Sequence, residues 1–120
     1  MDMKLKYKIW LETSDRKGIL GDGKWKLLKA IDETGCLNAA MKKLGLSYRK
    51  TWDNLVKIEE NIGFKIVEKQ RGGASGGNTV LTKQGKAIVD AFDKFHEKYD
   101  EMITKGLSEM LDEIKMEIKE

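Results

Sequence analysis

Residues 35–62, GCLNAAMKKLGLSYRKTWDNLVKIEENI, constrain the fold of this chain more than any other stretch. Leu37, Ala40, Met41 and Leu44 recur at i, i+3, i+4 and i+7, which gathers them on one face of a short helix. Gly45-Leu46-Ser47 breaks that helix: the glycine tolerates a left-handed C-terminal conformation, and the serine caps the next helix by accepting from its free N–H groups. In the second helix Trp52, Leu55, Ile58 and Ile62 fall on the inner side, leaving Arg49, Lys50, Asp53, Asn54 and Lys57 outside. Two short helices across a glycine turn, the second opening on Ser-Tyr-Arg-Lys, form a helix-turn-helix.

The flanks extend the pattern. Residues 4–12 alternate, with Leu5, Tyr7, Ile9 and Leu11 on one side and lysines on most of the other, predicting a half-buried N-terminal strand. Residues 14–18 read as a turn, and Gly21-Asp22-Gly23 opens a helix to about Thr34, with Trp25, Leu28 and Ile31 inward and Gly35 ending it. Beyond the helix-turn-helix, residues 64–70 and 79–82 read as strands around a glycine-rich loop, a β-hairpin in the position of a wing. Thr82 caps a long helix from about Lys83, and the chain has no proline to force a break before Gly106. In that helix Ile88, Phe92, Phe95, Tyr99 and Met102 step by 4, 3, 4, 3, and Leu107 and Leu111 continue the stripe past the glycine. So long an apolar seam on so small a body predicts a second copy as its cover, with these seven residues in the dimer contact. The expected organisation is α+β, mainly α: a winged helix-turn-helix over residues 1–105 including the long helix, then a helical tail over 106–120.

Composition narrows the function. With 120 residues, 40% hydrophobic and 36% charged, the chain suits one soluble domain with a modest core. No apolar run is long enough to span a membrane, no signal-peptide core follows the N-terminus, and the single Cys36 suits a reducing compartment, so a cytoplasmic location is expected. The net charge of +3 conceals a division: residues 1–89 hold 18 Lys/Arg against 10 Asp/Glu, whereas residues 90–120 hold 5 against 10. A basic body with an acidic tail helix points to a polyanion at the first part only.

The outward face of the second helix fits such a partner. Cations at a helix N-terminus oppose the helix dipole, so Arg49 and Lys50 are better explained by a ligand than by the helix itself. In the major groove Arg49 or Lys50 donates to guanine and Asn54 pairs with adenine, while Ser47, Tyr48 and Lys57 suit the phosphate backbone. In the loop, Arg71, Gly72, Gly73, Ser75, Gly76, Gly77 and Asn78 combine one cation with little side-chain bulk, which permits close approach to a duplex. The same loop approaches the nucleotide-binding pattern GxxxxGK[ST], but Asn78 replaces the lysine and a strand follows where a helix must begin. Trp25 and Trp52 lie on apolar stripes and read as core rather than as stacking platforms; Trp10 suits an interface. His96 is isolated in sequence and Cys36 lacks companions for a metal site, so no catalytic centre, metal or cofactor is expected.

GCLNAAMKKLGLSYRKTWDNL followed by EKQRGGASGGNTVLTKQGK closely resembles the N-terminal DNA-binding domain of the ModE family, molybdate-responsive transcription regulators related to LysR-type proteins. The likeness covers about residues 5 to 100 and is most specific at Ser-Tyr-Arg-Lys-x-Trp and at the glycine-rich wing. It implies a homodimer on a palindromic double-stranded operator, with Ser47 to Lys50 at the start of the recognition helix and Arg71 to Asn78 in the wing. Cys36, Met41 and Thr51 depart from the family's usual choices at packing or capping positions. The C-terminal oxyanion-binding domains through which the family senses molybdate have no counterpart here, so no molybdate site is expected in this chain. Two other readings fit the residues: a winged-helix module that docks a protein, and an architectural DNA binder without sequence preference.

Overall fold

The computed structural model describes residues 2–70 and 78–118. Its elements are β1 (Trp10–Glu12), β2 (Gly18–Gly21), α1 (Asp22–Thr34), α2 (Leu37–Leu44), α3 (Tyr48–Ile62), β3 (Val67–Gln70), β4 (Asn78–Leu81) and α4 (Lys83–Ile118). The strands form two antiparallel pairs, β1 with β2 and β3 with β4. Three helices, a hairpin and a long closing helix make an α+β winged-helix arrangement.

The core forms where the apolar stripes meet. Leu28 and Ile31 of α1, Leu37 and Ala40 of α2, Leu55 and Ile58 of α3, Ile66 before β3 and Val89 of α4 are all fully enclosed. The helix boundaries follow local chemistry. Gly35, Gly45 and Gly63 end α1, α2 and α3 in left-handed conformations with φ of 80°, 65° and 89°, which side chains with a Cβ strongly disfavour. Cys36 caps α2 with its sulfur, accepting from the Ala39 amide at 3.3 Å, and Ser47 caps α3 by accepting from the Lys50 amide at 3.3 Å.

One junction holds α3, the hairpin and α4 together. The Glu59 carboxylate accepts from the amides of Ile66 (2.8 Å) and Val67 (3.2 Å), which turns the chain from α3 into β3. Thr82 donates its amide to the Ile66 carbonyl at 2.9 Å and its hydroxyl to the Lys65 carbonyl at 2.8 Å. The same hydroxyl accepts from the Gly85 amide at 3.0 Å, capping α4. Gly85 lies so close that a Cβ there would stand 2.3 Å from the Ile66 carbonyl oxygen.

Polar contacts fasten α4 to α1. Asp93 accepts from the Trp25 indole at 3.0 Å and pairs with Lys29 at 3.2 Å; Lys86 pairs with Asp32 at 2.9 Å. The hydrogen bond that Lys86 donates to Asp32, with the charges of Asp32 and Asp90, raises the Lys86 pKa. His96 sits between two carboxylates, with Nε2 2.8 Å from Asp22 and Nδ1 2.8 Å from Asp100, and stacks on Trp25 with ring centres 4.7 Å apart. The isolation that His96 has in sequence does not survive folding.

Two expectations need correction. Alternation over residues 4–12 does predict burial, since Leu5, Tyr7 and Ile9 are half-buried while their neighbours are exposed. Pairing, however, is confined to Trp10–Glu12 against Gly18–Gly21, a strand that the sequence reading missed, and Leu11 is exposed. Residues 4–7 instead face α4 beside Thr104, Leu107 and Leu111, so the apolar side is used without a ladder partner. The strand expected over 64–70 likewise begins only at Val67, because Ile66 is engaged in the junction. The glycine loop over residues 71–77 lies outside the described residues.

Gly106 does not interrupt α4, which runs for 36 residues. The two α4 glycines therefore differ in sign. Gly106→Ala meets nothing within 4 Å and should raise stability by about 0.5–1 kcal/mol, the ordinary helical gain. Gly85→Ala drives a methyl into the Ile66 carbonyl and should lower it by about 1–3 kcal/mol. Urea denaturation of both variants checks the pair.

Candidate nucleic-acid interface

The position of α3 follows from its inner face. Leu55 and Ile58 are fully buried, and Thr51, 2% exposed, donates its hydroxyl to the Ser47 carbonyl at 2.7 Å. Trp52 packs on the core cluster and meets Tyr48 in a T-shaped contact, centres 6.3 Å apart. With this side committed, Ser47, Tyr48, Arg49, Lys50, Asp53 and Lys57 are exposed along the opposite side, and Asn54 is half-buried. Thr51, which the sequence places at a packing or capping position, lies in the helix's packed face.

Among the described residues, Arg49, Lys50 and Lys57 have no acidic group within salt-bridge distance, whereas Lys17, Lys29, Lys43, Lys65 and Lys86 do. The first turn of α3 carries no acidic residue. Its amides, its dipole and two unpaired cations thus present one sign of charge to solvent at one end of the helix.

The hairpin stands beside this end. β3 and β4 pair in register from Val67↔Leu81 to Gln70↔Asn78, which carries Lys69 and Asn78 toward the tip. Lys69 shares an open hollow of about 550 Å³ with Tyr48, Arg49, Trp52 and Asp53. The structure therefore brings together the α3 residues and the base of the wing. Asn78 is exposed at the start of β4; Arg71, Gly72, Gly73, Ser75, Gly76 and Gly77 lie outside the described residues. Asn38 and Lys69 were missed by sequence reasoning. Their signal was weak, because one polar residue in a first turn and one lysine on a strand are ordinary surface choices.

The α4 stripe divides into two parts. Phe92 is buried in the chain's own core and Ile88 packs against it. Phe95, Tyr99, Leu107 and Leu111 are half-buried, while Met102 is 66% exposed. Trp10, 54% exposed, donates its indole N–H to Glu12 at 2.7 Å. Among the described residues no cluster of three His, Cys, Asp or Glu is placed to hold a metal. No helix among them is long and apolar enough to cross a membrane.

No family model matches the chain. Similarity to individual proteins is clear. The molybdenum transport protein ModE of Azotobacter vinelandii is 34% identical over 95 residues, covering 79% of this chain and 35% of that protein. The molybdenum-pterin-binding protein MopB of Rhodobacter capsulatus is 34% identical over 73 residues, covering 61% and 27%. The DNA-binding transcriptional dual regulator ModE of Escherichia coli K12 is 33% identical over 67 residues, covering 56% and 26%. The chain is thus ModE-like in sequence, and it spans about a third or less of the length of these relatives.

If the cations at the start of α3 serve a ligand, replacing one should help the isolated fold. Lys50 stands three residues after the capping Ser47, where glutamate completes a capping box and favours the dipole. Lys50→Glu should raise stability by about 0.3–1 kcal/mol, read by chemical denaturation without DNA.

Proposed function

We propose that this chain is a ModE-like transcription regulator that binds double-stranded DNA in a sequence-specific manner as a homodimer. The observation that carries the reading is the outward Arg49 and Lys50, without an acidic partner among the described residues, on a helix held by its opposite face beside a hairpin. Arg49, Lys50 and Asn54 read base edges in the major groove, and Ser47, Tyr48 and Lys57 hold phosphates. The hairpin, with Arg71 and the glycine loop, grips the flanking backbone. The names of the relatives support regulation: one is a DNA-binding transcriptional dual regulator. The reading includes no catalytic step and no cofactor, and it places the protein in the cytoplasm.

Two copies meet along the distal stripe of α4. Ile114 and Ile118 are 37% and 59% exposed on that stripe, with Met110, 51% exposed, at its margin. A two-fold axis through such a contact sets the recognition helices about one DNA turn apart, roughly 34–36 Å, on a palindromic site. The acidic balance of residues 90–120 keeps this end away from the duplex.

Selection from a random duplex pool tests the reading. A recovered palindrome supports specificity and symmetry together; recovery of unrelated sequences at equal affinity favours an architectural binder. Arg49→Ala should lose about 1–3 kcal/mol on the selected site and relax preference at one base pair. Arg71→Ala should lower the salt slope with little change in preference. Leu111→Glu should convert the dimer to a monomer in light scattering; an unchanged mass removes α4 from the dimer contact.

A further inference from the structure

A smaller cavity of about 170 Å³ lies between α2, α3 and the hairpin, lined among others by Cys36, Asn38, Tyr48, Trp52, Lys69 and Asn78. The polar side chains offered are two amides, a phenol, a hydroxyl, a thiol, an indole and one ammonium, and no carboxylate is among the described residues lining it. Lys69 has no acidic partner among the described residues. The Trp52 indole N–H is buried without an acceptor. The first turn of α2 adds backbone donors: the amides of Ala39 and Ala40 are bonded to Cys36, which leaves those of Leu37 and Asn38, the orphan positions of any helix start. A cavity rich in donors, holding one cation and no opposing carboxylate, selects an anion.

We propose that this cavity seats one backbone phosphate of the duplex, held by Lys69 and Asn38. The inference rests on the DNA-binding reading and adds a clamp that joins α2 to the wing. A phosphodiester entering between them places the strand against the hairpin base and leaves the outward turn of α3 free to face base edges. The contact carries no sequence information; it sets depth and register. Lys69 supplies charge, Asn38 a side-chain amide in the first turn of α2, and Asn78 and Tyr48 lie on the cavity wall.

The test uses the full chain with the duplex recovered by selection and an unrelated duplex of equal length. Lys69→Gln should lower the slope of log affinity against log salt by about 0.9, the value of one phosphate, on both duplexes alike. Uncharged methylphosphonates are then placed singly along the selected duplex. One position per half-site should weaken the wild type but not Lys69→Gln, and Asn38→Ala should show a partial loss of the same sensitivity. Matching circular dichroism and melting curves exclude misfolding of the variants. A salt-dependent wild type with an unchanged slope in Lys69→Gln overturns the phosphate seat and leaves DNA binding standing. So does equal methylphosphonate sensitivity in wild type and variant. A wild type that binds neither duplex overturns both readings.

Discussion

The backbone of Ile66 is the point on which the arrangement depends. Its amide is held by Glu59 from α3, its carbonyl by Thr82 at the head of α4, and a Cβ on Gly85 would overlap that carbonyl. Ile66 itself is fully enclosed. Three elements therefore meet at the backbone of one residue, and none can shift without unpairing a buried donor or acceptor, at a cost of about 1–3 kcal/mol for each group. Because β3 leaves this point directly, the angle between hairpin and α3 is a property of the core rather than of the surface. Inward packing of Leu55 and Ile58 completes the constraint by fixing which side of α3 meets solvent.

Electrostatics run against the fold at the opposite end of the same helix. A first turn with Arg49 and Lys50 and no acidic residue is a poor choice for an isolated helix. The helix tolerates it because its stability comes from burial, where each enclosed aliphatic side chain contributes about 1.5–3 kcal/mol, against a dipole penalty of a few tenths to about 1 kcal/mol. The core can therefore carry an unfavourable surface, and the helix end remains positive. The uncapped amides at α2 extend that positive character toward the hairpin.

Most of the helical framework was legible in the sequence because period and punctuation agree. Leu37, Ala40 and Met41 gave α2, Gly45 and Ser47 gave the turn, and Thr82 marked the start of α4. What escaped was contact between distant parts of the chain. Alternation at Leu5, Tyr7 and Ile9 announced burial but not a pairing partner, since a period of two reports which side is covered and not what covers it. Glu59 looked like one more surface carboxylate, and His96 like a lone ring, until folding set Asp22, 74 residues away, against it. The outward cations of α3 were legible from helical phase alone. Lys69 and Asn38 were not, because only the closing of the hairpin on α2 gives them a common cavity.

The uninterrupted α4 turns these contacts into a machine element. Thirty-six residues at about 1.5 Å each make a rod of roughly 54 Å, in a molecule 65 Å long. One arm is clamped from Gly85 to Phe92, and the other projects past the imidazole that bridges Asp22 and Asp100. That arm is braced from two sides, by Asp22 of α1 at the ring and by residues 4–7 beside Thr104, Leu107 and Leu111, so the first and last parts of the chain are held against each other along one rod.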